Sequence, residues 1–82
     1  MKSIIFLTAI KKRNNLKFLY GVSEIMIDPY FIARESSGKK VIYGRVKNTN
    51  QIRKFEYDQI SNIRVLNNVK FSPVIPIIPQ VS

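Results

Sequence analysis

The sequence predicts a mainly β domain: one N-terminal α-helix followed by five short strands curled into a small barrel. Three observations predict it. Hydrophobic residues alternate at period two in successive short runs from Leu16 onward. Clusters of Gly, Ser, Asn and Asp separate those runs. Finally, 82 residues supply a single core, too little for a two-sheet sandwich, and closing the sheet removes edges that would otherwise need protection.

Ile4 to Arg13 reads as the helix. Ser3 can cap it, Phe6, Ala9, Ile10 and Arg13 fall three and four apart, and Asn14-Asn15 stop it. Apolar residues nearly encircle its first two turns, so it is expected to lie against the rest of the chain rather than on open solvent. Leu16 to Tyr20 switches to period two, with Leu16, Phe18 and Tyr20 on one face and Gly21 ending the strand. Glu24 to Arg34 places Ile25, Ile27, Pro29 and Phe31 on alternate positions; Pro29 offers no ladder donor and marks a bulge, edge or turn. Glu35 to Lys39 is a hairpin turn, Lys40 to Lys47 a strand, Asn48-Thr49-Asn50 a turn and Gln51 to Tyr57 a strand. Asp58 to Asn62 reads as a tight turn or one 3₁₀ turn, and Ile63 to Leu66 as the last strand. The expected core is Phe18, Ile27, Val41, Phe55, Ile60 and Val65.

The barrel domain is assigned to residues 1–72 and a proline-rich extended tail to 73–82. Pro73, Pro76 and Pro79 recur every third position among Val74, Ile75, Ile77, Ile78 and Val81. Burying those aliphatic groups outweighs ordering a backbone that proline has stiffened. A barrel this small has little groove to spare, so the tail is expected on a second copy, giving a homodimer; packing on its own barrel, or disorder, is the alternative.

Charge narrows the function. Fourteen Lys and Arg face five Asp and Glu, a net charge of +9. Residues 1–23 carry Lys2, Lys11, Lys12, Arg13 and Lys17 with no acid. Such a balance attracts phosphate, nucleic acid or an acidic protein. The apolar run from Ile4 to Ile10 falls far short of the roughly 20 residues needed to span a bilayer and lacks a cleavage signal, so a cytoplasmic, non-membrane protein is expected.

Catalysis finds little purchase in the sequence. Without cysteine or histidine, thiol nucleophiles, imidazole bases and the usual zinc ligand sets are excluded, and no phosphate-cradling glycine loop is present. Glu56 and Asp58 share a strand edge without a closed pocket. No enzyme activity, metal or cofactor is expected. A binding surface fares better: Tyr20, Tyr30, Tyr43 and Tyr57 are rings able to stack on bases, with Lys39, Lys40, Arg45, Lys47, Arg53 and Lys54 on or beside the same strands. Alternation puts Arg53 on the side of Phe55 and Tyr57, a costly place unless the guanidinium meets an anion, a carboxylate or a pocket mouth. The same residues also suit an ordinary half-buried sheet with solvent-facing bases.

Taken in order, the helix with Ala9-Ile10, then Leu16 to Tyr20, Ile27 to Ile32, Val41-Ile42-Tyr43-Gly44, Arg53 to Ile60, Ile63 to Leu66 and Phe71-Ser72-Pro73 resemble the WYL domain over about residues 4–73. The most specific element is Arg-x-Phe-x-x-Asp-x-Ile at 53–60. The resemblance implies an Sm-like (Src-homology-3-like) barrel acting as a bacterial sensor of nucleic acid or a nucleotide-like anion, in transcription regulation or phage defence. It implies pocket contacts by Tyr20, Tyr43 and Arg53, structural roles for Phe55 and Ile60, and a turn ordered by Asp58. It also implies a separate DNA-binding regulator as partner. Arg45 and Gln59 are added to the expected ligand site, and charge and position make Lys11, Lys12, Arg13, Lys39, Lys40, Lys47 and Lys54 the expected nucleic-acid contacts. The eponymous Trp-Tyr-Leu falls here on Lys40-Val41-Ile42, and the family's second arginine on Gln59, a neutral group. Those departures leave open a protein-interaction or oligomerisation module without the pocket, or a fragment of a larger regulator.

Overall fold

Helix α1 spans Lys2–Lys12 in the computed structural model, which describes residues 1–70, with side chains through residue 66. The tail 73–82 and the dimer contact assigned to it lie outside the described residues. No side chain caps α1; Ser3 instead shares a 3.2 Å hydrogen bond with the Tyr57 hydroxyl. Arg13 closes the helix in the left-handed conformation (φ 59°, ψ 41°), its N–H donating to the carbonyls of Ala9 and Ile10. Asn14 and Asn15 therefore do not end the helix by themselves. They open strand β1, Asn14–Tyr20, and both are buried.

Four further strands follow: β2 Ser23–Arg34, β3 Lys40–Val46, β4 Ile52–Glu56 and β5 Ile60–Lys70, with a 3₁₀ turn at Tyr57–Gln59 between the last two. All pair antiparallel in the order β4-β3-β2-β1-β5. The sheet is not closed, because β4 and β5 are its two edges rather than partners in a ladder. It is nevertheless strongly curled. In a flat five-stranded sheet the outer strands stand about 19 Å apart, yet a three-residue 3₁₀ turn, advancing only about 6 Å, joins the end of β4 to the start of β5. The Tyr20 hydroxyl at the end of β1 accepts the Glu56 N–H at 3.1 Å, tying that corner.

The core lies inside the curl under α1. Phe6 and Ala9 from the helix meet Leu16, Phe18, Ile27, Ile42, Phe55, Tyr57 and Ile60. Phe55 takes the rings of Phe18 and Tyr20 edge-on, with centroids at 5.4 and 5.0 Å, and Phe6 meets Tyr57 edge-on at 5.1 Å. The helix lies against the sheet as expected, with Phe6 and Ala9 fully buried, while Ile4 at 67% and Leu7 at 51% are exposed on its other side.

Two register breaks shape the sheet, the first of them at the bulge expected from Pro29. Between Pro29 and Phe31 the β2–β3 ladder shifts, so Ile32 packs against the core and Phe31 turns outward, 52% exposed. In β5, Asn62 takes φ 51° and the β1–β5 ladder shifts between Lys17 and Leu19. The shift puts Ile63 and Val65 on the core side, Val65 opposite Leu16. Ile63 packs against the core as expected, while Val65, expected inside, is 36% exposed on the open edge strand.

Candidate anion-binding cleft

Asp28 organises the sheet face opposite the core. It pairs with Arg45 across β2–β3, and Asn15 precedes Leu16, the register partner of Ile27. Alternation therefore puts Asn15, Asp28 and Arg45 on one face and Leu16, Ile27 and Val46 on the other. Asp28 has no exposed surface, a costly position for a carboxylate unless charge and hydrogen bonds compensate it. Asn15 Nδ2 donates to Oδ1 and Arg45 donates to Oδ2. Lys47 Nζ lies 3.6 Å from Oδ1. Two cations meet one carboxylate, leaving positive charge to spare.

That surplus borders a cleft of about 370 Å³ lined by Arg45, Lys47, Asn48, Thr49 and Asn50. The β3–β4 turn holds its far wall: Thr49 Oγ1 donates to the Val46 carbonyl at 2.8 Å and accepts the Gln51 N–H at 3.0 Å. Val46 N–H reaches the Gln51 carbonyl at 2.9 Å. Arg45 Nε is buried and meets no hydrogen-bond acceptor among the described residues. Two cations beside the Asn48 and Asn50 amides make a lining suited to phosphate oxygens. Nearby, burial raises the Tyr30 phenol above its ordinary pKa; the Arg45 charge partly opposes this and the Asp28 charge adds to it.

The expected ligand residues divide between the two sheet faces. Arg45 lines the cleft, and Tyr43, two residues earlier on β3, stacks on Phe31 with centroids 4.6 Å apart. Tyr20 and Arg53 belong to the core side: Arg53 is exposed, its guanidinium 4.9 Å from the centre of the Phe55 ring. The cost expected for Arg53 is therefore met by exposure and the ring face. Gln59 lies in the 3₁₀ turn, its carbonyl accepting the Gly21 N–H at 3.0 Å and its amide 3.5 Å from Glu56.

The expected nucleic-acid contacts are also dispersed. Lys47 lies at the cleft, whereas Lys39 and Lys40 stand at the other end of β3, about 20 Å away along a strand. Lys39 pairs with Glu56 at 3.5 Å, and Lys54 with Glu35. The hydrogen bond to Glu35, then its charge, raises the Lys54 pKa. Lys11, Lys12 and Arg13 are exposed at the helix C-terminus, two residues before Asn15 at the nearest. Sequence reasoning missed Asn15, Asp28, Phe31 and the Asn48 to Asn50 turn as site residues. A lone acid inside an apolar strand was the available signal for Asp28.

No family model, curated protein or solved structure matches the chain. Among the described residues no helix is long and apolar enough to cross a membrane.

Proposed function

We propose that the chain is a non-catalytic regulatory module that binds nucleic acid or a nucleotide-like anion through the Arg45 cleft. The observation that carries this reading is the buried Arg45 Nε, without an acceptor among the described residues, beside a polar cleft in which two cations answer one carboxylate. The net charge of +9 would draw polyanions toward it. The N-terminal helix, the five-strand order and the curl support the Sm-like, WYL-type reading, with transcription regulation or phage defence as the setting. In that setting the residual positive charge of the cleft takes the phosphate, and the Asn48 to Asn50 turn supplies neutral donors around it.

A second reading has its own observation. Leu7, Ile32, Ala33 and Tyr57 line a mainly apolar hollow of about 400 Å³, which favours a protein-interaction module. Fluorescence anisotropy of labelled single strands and nucleotides against salt separates the two. On the first reading binding weakens steeply with salt, and Lys47→Gln lowers the slope of log affinity against log salt by about 1. Lys47 is partly exposed and Arg45 still holds Asp28 in that variant, so the fold is retained. Absence of binding at low salt, or a slope unchanged in the folded variant, refutes the cleft.

A further inference from the structure

The outer sheet face carries an aromatic feature that anion binding alone does not use. Phe31 and Tyr43 stack at 4.6 Å with an interplanar angle of 19°, and Phe31 is exposed. Without the register shift after Pro29, alternation would send Phe31 to the side of Ile25 and Ile27. The shift instead gives Ile32 to the core and presents the phenyl ring to solvent. Bulges that re-aim one side chain in this way are over-represented beside functional sites.

Position makes the ring pair useful. Tyr43 and Arg45 are two apart on β3, whose ladder with β4 is regular, so they share a face about 7 Å apart. Lys54 is the register partner of Tyr43 on the other side. An aromatic surface thus stands between the Lys54–Glu35 ion pair and the Arg45 cleft one step along the strand. Aromatic rings interleaved with backbone-binding cations are how extended single strands are held, because every base has a π-face while phosphates repeat along the chain. Paired bases in a duplex keep their faces stacked on each other and cannot use such a platform.

We propose that the Phe31–Tyr43 pair is a base-stacking platform, so that the ligand of the Arg45 cleft is single-stranded nucleic acid. This rests on the anion-binding reading of the cleft. The full chain is titrated with a labelled thymidine strand of about ten nucleotides and with an abasic strand of equal length, which has the phosphates but no bases. The parent is expected to favour the thymidine strand by about 5-fold or more, and Phe31→Ala to erase that preference while leaving abasic affinity unchanged. Phe31→Leu, which keeps apolar bulk without the ring, serves if the alanine variant fails to fold. Equal binding of both strands by the parent, or a preference that persists in the folded variants, overturns the platform; the cleft itself then stands if Lys47→Gln weakens both strands. Failure of the parent to bind either strand overturns the cleft and the platform together.

Discussion

Changing Asp28 to Asn tests how the cleft is built. The carboxylate is fully buried and serves Asn15, Arg45 and Lys47. An amide keeps one acceptor oxygen and turns an NH₂ toward the other donors, so either Asn15 or Arg45 loses its acceptor. Stranding one buried donor costs about 1–3 kcal/mol, and breaking a buried ion pair about 3–5 kcal/mol. The Arg45 and Lys47 side chains are 25% and 33% exposed, and water reaching them holds the loss to about 2–3 kcal/mol. In a domain of this size that lowers Tm by about 10–20 °C. Removing the carboxylate also leaves Arg45 and Lys47 uncompensated, so the folded variant binds a phosphate-bearing strand more tightly than the parent. Thermal melts with and without the strand read both effects, beside Asp58→Asn on the exposed 3₁₀ turn as a control. A Tm within about 2 °C of the parent would refute the strut role of Asp28, and weaker strand binding by the folded variant would refute the sign of the electrostatic argument.

Two other outcomes follow from the structure. A Cβ at Gly44 would sit 2.6 Å from Ile27 Cδ1 and 2.8 Å from the Asp28 carbonyl oxygen. Backbone in a paired strand cannot retreat cheaply, so Gly44→Ala should cost about 3 kcal/mol, and denaturant unfolding with an unchanged midpoint would show that β2 and β3 do not close there. Because Tyr30 has a raised pKa in the folded chain, folding binds its proton more tightly than unfolding does. Its contribution is complete below the unfolded value of about 10 and is lost as pH rises through the folded value. Melts across that window should show a fall in stability that is shallower in Tyr30→Phe, and identical slopes would contradict the burial of the phenol.

Much of the fold was legible because alternation is a local signal. The runs around Leu16, Phe18, Ile27, Ile42 and Phe55 declare their buried face residue by residue. What alternation cannot announce is the position of an unpaired residue. One shift after Pro29 exchanged Phe31 for Ile32, while Val65 faces the core side opposite Leu16 yet stays exposed because β5 is an open edge. The asparagines after α1 looked like terminators, since their side chains compete for backbone groups. In the structure Asn15 spends its amide on Asp28, thirteen residues along the chain, a partner visible only once β1 and β2 are in register. The cleft was half legible: Arg45 and Lys47 stood out as cations on a strand, while the acid that orients them looked like a strand break. Sheet closure is not a local property either, and the order places β4 and β5 at the two edges.

The most direct test of the cleft is a map of backbone amide shifts in the ¹⁵N-labelled chain as a thymidine single strand is added. The account predicts the largest changes at Arg45, Lys47, Asn48 and Asn50, with Phe31 and Tyr43 beside them. Largest changes around Tyr20 and Arg53 or along Ile4 and Leu7, or none at saturating strand, would contradict it.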